Sequence, residues 1–325
     1  GNDVLRPGTG NDEIQGSTGD DTYQFFLGDG ADYIVDYHTN TGNIDKIVLG
    51  ADIFASQVRA SRSGDDLLLT VDAMNVVGVS NYFVNDGYTP YAVEQIKFLG
   101  DGTVWNLDAV KQMVLTGSGG NDVLTGYATG DQLHGLAGDD TLQGGAGNDT
   151  LIGGEGNDTY LFGKGDGQDI IGADYSGTGL GRLNVLEFKP GVALSEVVVA
   201  RLVDEMNGDL LVISISGSTD KVTVHGFFVD DDPTNICNPL QLIKFSDGSI
   251  WDLAAIVSKL SNNHAPVLST VLPDLTAAQG GELSYTVASN AFTDPDAGDT
   301  LTYSATLADG SALPSWLAFD GATRT

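Results

Sequence analysis

Cysteine is almost missing from this chain of 325 residues: Cys237 stands alone, so no internal disulfide can staple the fold. We read it as a small apolar core residue rather than a nucleophile. Positive charge is scarce too, with 14 Lys and Arg against 45 Asp and Glu and a formal net charge of −31. That balance disfavours nucleic acid and anionic membrane surfaces as partners. Glutamate is rare among the acids, 7 of 45, the other 38 being Asp. Glutamate favours helices and aspartate favours turns and caps, so this is not the acidity of solvated helix faces. No run of about 18 apolar residues occurs, which excludes a membrane-spanning helix. Histidine is limited to His38, His134, His225 and His264, and none lies in an HExxH pattern; GxSxG and P-loop signatures are absent as well. Acid pairs such as Asp139-Asp140 are too common here to mark acid–base catalysis, so no enzymatic activity is expected.

What the chain does have is glycine, 44 residues, which with aspartate makes 82 of 325. Such a composition demands tight turns, yet 41% of residues are hydrophobic, too many for a disordered acidic tail. Self-comparison finds a nine-residue period. Residues 117–161 read GSGGNDVLT, GYATGDQLH, GLAGDDTLQ, GGAGNDTLI and GGEGNDTYL. Aspartate holds position six at Asp122, Asp131, Asp140, Asp149 and Asp158, and an apolar residue holds position eight at Leu124, Leu133, Leu142, Leu151 and Tyr160. The chain also opens inside such an array, with Asp3, Asp12 and Asp21 at position six and Leu5, Ile14 and Tyr23 at position eight.

The spacing has a physical meaning. Glycines permit positive φ and close backbone approach, so GGxGxD can form a turn whose carbonyls share a centre. The remaining three residues make a minimal strand with one inward side chain. One apolar residue in nine cannot build a core alone, but stacked turns give an inner ladder and rows of Asp. From residue 117 to 158 there are seven acids and no Lys or Arg, so the stack repels itself unless cations enter. An oxygen-only ligand set of carboxylates and carbonyls suits Ca²⁺ rather than Zn²⁺.

This unit resembles the RTX (haemolysin-type calcium-binding) repeat of proteins exported by Gram-negative bacteria. The resemblance implies several Ca²⁺ ions held by Asp3, Gly8, Gly10, Asp12, Gly19 and Asp21 in one array. In the other it implies Gly117, Gly120, Asp122, Asp131, Gly138, Asp140, Gly145, Gly147, Asp149, Gly154, Gly156 and Asp158. GYATGDQLH departs from the pattern at Thr129 and Gly130, and weaker binding is expected there.

A duplicated segment follows each array. Gly28-Asp29-Gly30 and Asp32 answer to Gly165-Asp166-Gly167 and Asp169 at a constant offset of 137, and Phe98 and Trp105 answer to Phe245 and Trp251. Each copy carries two alternating stretches joined by a Gly-containing turn, read as a hairpin, and a short helix capped by Asn106 or Asp252. The duplicated segments resemble haemolysin-type calcium-binding-protein-related domains, whose expected role is to cap an open roll end. Asp29, Asp32, Asp166 and Asp169 are candidate ligands at that cap, with ordinary turn residues as the alternative. Residues 261–266 read as a linker, and the remainder resembles a dystroglycan-type, cadherin-like immunoglobulin fold, with strands expected at LSYTV and LTYSATL. The family pattern makes Asp294, Asp296 and Asp299, with Asn263, inter-domain calcium candidates.

The expectation is an all-β chain of two calcium-binding parallel β-rolls, each capped by a β-rich module, followed by a partial β-sandwich. The domains run 1–113 with its roll at 1–25, 114–260 with its roll at 117–162, and 261–325. The mid-repeat start at Gly1 predicts an internal stretch of a larger protein. The resemblance implies a calcium-folded structural region of a secreted or cell-surface adhesin, exported by type I secretion. The alternatives are the calcium-binding region of a secreted hydrolase or toxin, or a module binding a glycan or protein ligand through Tyr82, Phe83, Tyr88 and Tyr91, half of which at least would be core. Neighbouring copies are a further candidate partner.

Overall fold

Three residues per nonapeptide allow only very short strands, so each strand must find its ladder partner in another turn. The computed structural model describes residues 1–35, 37, 42–87, 91–172, 182–202, 209–260, 267–273, 275, 283–293, 301–307 and 313–325. It divides into two units, Gly1–Leu253 and Ala254–Thr325.

In the first half of the larger unit the strands are β1 (Val4–Leu5), β2 (Glu13–Ile14), β3 (Thr22–Phe25), β4 (Ala31–Ile34), β5 (Lys46–Leu49), β6 (Arg59–Ser63), β7 (Asp66–Thr70), β8 (Val76–Val79), β9 (Gln95–Phe98) and β10 (Val104–Asn106), followed by α1 (Leu107–Met113). The second half repeats the strand plan with β11 (Val123–Thr125), β12 (Gln132–Ala137), β13 (Thr141–Gln143), β14 (Thr150–Glu155), β15 (Thr159–Phe162), β16 (Gln168–Ile171), β17 (Val185–Phe188), β18 (Val197–Leu202), β19 (Leu210–Ile215), β20 (Lys221–Val224), β21 (Leu242–Lys244) and β22 (Ile250–Asp252), and α2 (Leu253–Leu260) runs on from it into the smaller unit.

Successive nonapeptides alternate between two sheets. In the first copy the sheets run β1-β3-β5-β9-β10 and β2-β4-β8-β7-β6; in the second they run β11-β13-β15-β17-β21-β22 and β12-β14-β16-β20-β19-β18. Pairing through the arrays is parallel, with Leu124 facing Leu142, Leu142 facing Tyr160, and Leu133 facing Leu151. Two nonapeptides therefore make one coil of a parallel β-roll. Leu124, Leu133, Leu142, Leu151 and Tyr160 are each at most 4% exposed, whereas the outward Val123 is 70% exposed. Burying each such leucine contributes about 1.5–3 kcal/mol.

Each β-rich module caps its roll by prolonging both sheets. β3, β5 and β9 continue in parallel, and the module ends in antiparallel pairs: β9 with β10 in one sheet, and β8 with β7 with β6 in the other. The second copy does the same with β20-β19-β18 and β21-β22. The matched aromatics lie at this closure: Trp105 packs edge-on against Phe98 at 4.5 Å and Trp251 against Phe245 at 4.7 Å. Asn106 caps α1 by accepting from the Ala109 N–H at 2.9 Å. Tyr82 and Phe83 are buried and pack edge-to-face at 4.9 Å, so this pair is core rather than a solvent-facing platform. Cys237 is half-buried.

In the smaller unit β23 (Val267–Leu268) pairs with β24 (Phe292–Thr293) antiparallel. Residues 283–287 and 301–307 are not strands, contrary to the alternation reading. Alternation yields a strand only where a partner completes the ladder, and among the described residues neither segment forms one, although the Val287 N–H donates to the Arg324 carbonyl at 2.9 Å; Leu283 and Leu307 are 48% and 42% exposed. Asn263, Asp294, Asp296 and Asp299 lie outside the described residues.

Candidate metal centre

The position-six carboxylates form two ladders, one along each side of the roll. After the first coil of each array, the ladder aspartates each give one oxygen to the backbone of the coil before. Asp122, Asp131 and Asp140 donate their N–H groups to Oδ1 of Asp140, Asp149 and Asp158 at 2.8, 2.8 and 3.1 Å. In the first array Asp3 and Asp12 donate likewise to Oδ1 of Asp21 and Asp32 at 2.7 and 3.0 Å. The other oxygen, Oδ2, of Asp21, Asp32, Asp140, Asp149, Asp158 and Asp169 is buried without a hydrogen-bond partner. A buried carboxylate oxygen left in this way is costly unless a cation meets it.

Glycine makes the room for that oxygen. A Cβ on Gly135, Gly144 or Gly153 would run into Oδ2 of Asp140, Asp149 or Asp158 respectively. The second glycine of the turn does a different job: Gly145 and Gly154 hold φ of +99° and +102°, in the left-handed region. Gly8, Gly10, Gly19, Gly138, Gly147 and Gly156 also take positive φ, whereas Gly117 and Gly120 do not.

Other candidates are already satisfied by the protein. Asp122 accepts from Arg59 through Oδ1 and from the Ser118 N–H and hydroxyl through Oδ2. Asp131 accepts from the Tyr127 N–H at 2.6 Å. Asp29 and Asp166 tie their own turns, accepting from Phe26 and Gly163 N–H groups at 2.8 Å, and Lys189 Nζ lies 2.7 Å from Asp166. Of the GDGxD segments, then, it is Asp32 and Asp169 that join the ladders. The Asp149 N–H donates to Asp169 Oδ1 at 3.1 Å.

Four residues of the ladders escaped the nonapeptide pattern. Asp45 accepts from Asp21 and Glu94 from Asp45 in the first copy, at 2.8 and 2.7 Å; Asn184 accepts from Asp158 and Gln241 from Asn184 in the second, at 2.8 and 2.7 Å. Each sits two residues before a buried apolar strand residue, the D-x-U spacing of the repeats, and that signal was present at Asp45-Lys46-Ile47 and Asn184-Val185-Leu186.

Among the described residues no three His, Cys, Asp or Glu side chains converge. A cation here would take one or two carboxylates together with turn carbonyls. That donor set fits a hard, oxygen-preferring ion and does not fit zinc. Burial pushes Asp149 and Asp158 up to about 6 and Asp169 to about 7, backbone N–H groups pulling back and neighbouring carboxylates adding to the rise. Asp32, Asp131 and Asp140 are raised by the same burial.

These groups bind protons more tightly folded than unfolded, where their value is 3.8. The stability they bring is complete below about pH 4 and is lost as pH climbs through 6 to 7. The ion-free chain is therefore expected to show more β signal at about pH 5 than at pH 8, with a midpoint near 6, above the ordinary carboxylate range of about 4. Far-UV circular dichroism in chelator measures this, and a signal that grows from pH 5 to pH 8 would contradict it.

Stretches of the chain match known families. The family model described as RTX calcium-binding nonapeptide repeat (4 copies) matches residues 1–34, 114–142, 126–160 and 134–171. The haemolysin-type calcium binding protein related domain matches 66–109 and 211–255, and the model named "Putative Ig domain" matches 265–325. Iron-regulated protein FrpA of Neisseria meningitidis serogroup C is 33% identical over 99 residues, which is 30% of this chain and 9% of that protein. The crystal structure of extracellular lipase LipA from Serratia marcescens aligns with 69% of this chain and 38% of its own at 19% identity, with a TM-score of 0.19; so low a score carries no argument about the fold. Over the matched stretches the chain consists of RTX nonapeptide repeats, which bind Ca²⁺, haemolysin-type calcium-binding-protein-related domains and an Ig-type domain.

Proposed function

We propose that residues 1–260 are a calcium-dependent structural region of a large secreted or cell-surface protein of adhesin type, folding when it meets calcium outside the cell. In this reading 1–113 and 114–260 are two copies of one roll-plus-module domain, with an Ig-type domain after the linker at 261–266. The observation that carries it is the row of six buried ladder carboxylates, four from position six of the repeats and two from the GDGxD segments, each with one oxygen on the backbone and the other without a partner. At low calcium the row opposes folding by desolvation and mutual repulsion. Ions that bind the folded chain stabilise it by RT ln(1 + [L]/Kd) each, about 2.7 kcal/mol at 100-fold excess over Kd. Two such sites reach the total stability of an ordinary domain, roughly 5–15 kcal/mol. The reading assigns the chain no catalytic step. Among the described residues no helix is long and apolar enough to cross a membrane.

The test is a far-UV circular dichroism titration with calcium from chelator upward, with magnesium as control. A cooperative gain of β signal with calcium alone is expected, because magnesium demands tighter octahedral geometry and sheds water reluctantly. A chain fully folded in chelator, or folded equally by magnesium, would refute the reading.

A further inference from the structure

Each later coil of the second roll leans on the coil before it in two ways. Its ladder aspartate accepts the preceding Asp N–H through Oδ1, as Asp140 does from Asp122 and Asp149 from Asp131. Its turn also aims a glycine carbonyl backward: a Cβ on Gly126 would run into the Gly144 oxygen, and one on Gly135 into the Gly153 oxygen.

The first coil, 117–134, follows α1 instead of another coil. On one edge the chain itself fills the gap: the His134 N–H donates to the Leu115 carbonyl at 3.0 Å, and the Gly117 N–H to the His134 carbonyl at 2.7 Å. On the other edge β11 ends its sheet, and β6 of the first module ends its own. The two strands border one cavity of about 190 Å³, lined by Arg59, Ser61 and Arg62 on one side and by Asp122 and Leu124 on the other.

Both duties of the missing coil fall to β6. Arg59 donates to Asp122 Oδ1, the oxygen that in later coils takes a preceding N–H. Arg62 Nη1 donates to the Thr125 and Gly126 carbonyls at 3.4 and 3.2 Å. Arg62 is held in place for this. Its Nε donates to the Gly64 carbonyl at 2.7 Å, its Nη2 to Asp65 at 3.1 Å, and the Phe83 ring centroid lies 5.1 Å from the guanidinium. Its side chain is only 11% exposed. Asp86 of the same module accepts from the Ala128 N–H at 3.3 Å. The second oxygen of Asp122 is used as well, accepting from Ser118, whereas Oδ2 of Asp140, Asp149 and Asp158 has no partner.

We propose that Arg59 and Arg62 act as a surrogate coil: the first module closes this end of the second roll with two guanidinium groups, and Asp122 holds an arginine there instead of a calcium ion. A guanidinium stays charged and offers five donors, so it satisfies carboxylate and carbonyl oxygens together. This departs from the repeat resemblance, which implies Asp122 as a calcium ligand. It also makes the first module a working part of the second roll, whose folding then depends on residues about 60 positions upstream. An edge strand that carries charge where a ladder partner would lie is at the same time protected from pairing with another chain.

The proposal rests on calcium-driven folding and is tested on the full chain by two readings. One is the number of calcium ions bound at saturation, from chelator-competition titration; the other is the calcium midpoint of the β signal. Asp122→Asn should bind as many ions as the wild-type chain, because an amide oxygen still accepts from Arg59 or Ser118. Asp140→Asn should bind one fewer. Arg62→Gln should raise the calcium midpoint ~3-fold or more with the ion count unchanged. Arg62→Lys keeps the charge without the fork and should recover part of that shift. An ion lost in Asp122→Asn overturns the proposal, and so does an Arg62→Gln midpoint equal to that of the wild type. A wild-type chain whose fold ignores calcium defeats the calcium reading and this proposal with it. A chain that folds with calcium yet loses an ion in Asp122→Asn defeats the surrogate coil alone.

Discussion

Asp149→Asn should hold more β structure in chelator than the wild-type chain does, while losing one calcium site. The substitution separates the two duties of the carboxylate. Oδ1 accepts from the Asp131 N–H at 2.8 Å, and an amide oxygen can do the same. Oδ2 is the buried oxygen without a partner, and the amide removes its charge. The chain already contains the outcome: Asn184 accepts from Asp158 through Oδ1, while its Nδ2 donates to the Pro239 carbonyl at 3.1 Å. Asp149→Ala loses both duties. It leaves a buried N–H unmet, at a cost of about 1–3 kcal/mol, and so should be less folded than wild type in chelator as well as deficient in calcium. Chelator-competition titration alongside circular dichroism reads the two effects separately. We expect at least about a tenfold loss of affinity at that site, equivalent to 1.4 kcal/mol. Asn and Ala variants that behave alike in chelator, or unchanged calcium binding in both, would sink the two-duty account.

Gly144→Ala should be severely damaging for a single methyl group in the second array. Its Cβ would sit 2.7 Å from both Cβ and Cγ of Asp149, and nearer still to Oδ2, so the carboxylate has to leave its place. Overpacking of this kind costs about 1–3 kcal/mol in an ordinary core, and here it also removes a ligand. Gly119 is the matched control, since a Cβ there meets nothing within 4 Å. Thermal melts in saturating calcium should place Gly119→Ala within about 0.5 kcal/mol of wild type and Gly144→Ala well below it. Equal melting temperatures would mean that the glycine is not what shapes the cradle.

These two residues also show how much could be read without coordinates. The period placed Asp149 in a ladder and Leu151 in the core, because an unbroken coil of two nonapeptides puts chemically equal residues one above another. The offset of 137 likewise set Asp32 opposite Asp169, and sequence likeness set Phe98 and Trp105 opposite Phe245 and Trp251 at offsets of 147 and 146. Legibility stopped where coil length changed. The ladder partner lies 18 residues downstream of Asp131, 20 downstream of Asp149, 26 downstream of Asp158 and 57 downstream of Asn184. A periodicity search loses the thread at such steps, and Asp45, Glu94, Asn184 and Gln241 went unnoticed. The protein partners of Asp122 and of the turn beside Asp131 escaped for another reason. Arg59 and Arg62, which bond Asp122 and the turn beside Asp131, come from a strand about 60 residues upstream, and nothing in a local motif announces a cation arriving from the preceding module.

The ladder has a direction. Along it each backbone N–H is met by a side chain from downstream; one ladder ends at Glu94 or Gln241 and the other at Asp32 or Asp169. A coil is therefore incomplete until the one after it is in place, and the chain is expected to zip from its closing module back toward its N-terminus. The longest closure, 57 residues between Asn184 and Gln241, is expected to be the slowest. Closing it costs about 1 kcal/mol more chain entropy than an 18-residue coil. Once it is closed, each nonapeptide pair adds to a finished template.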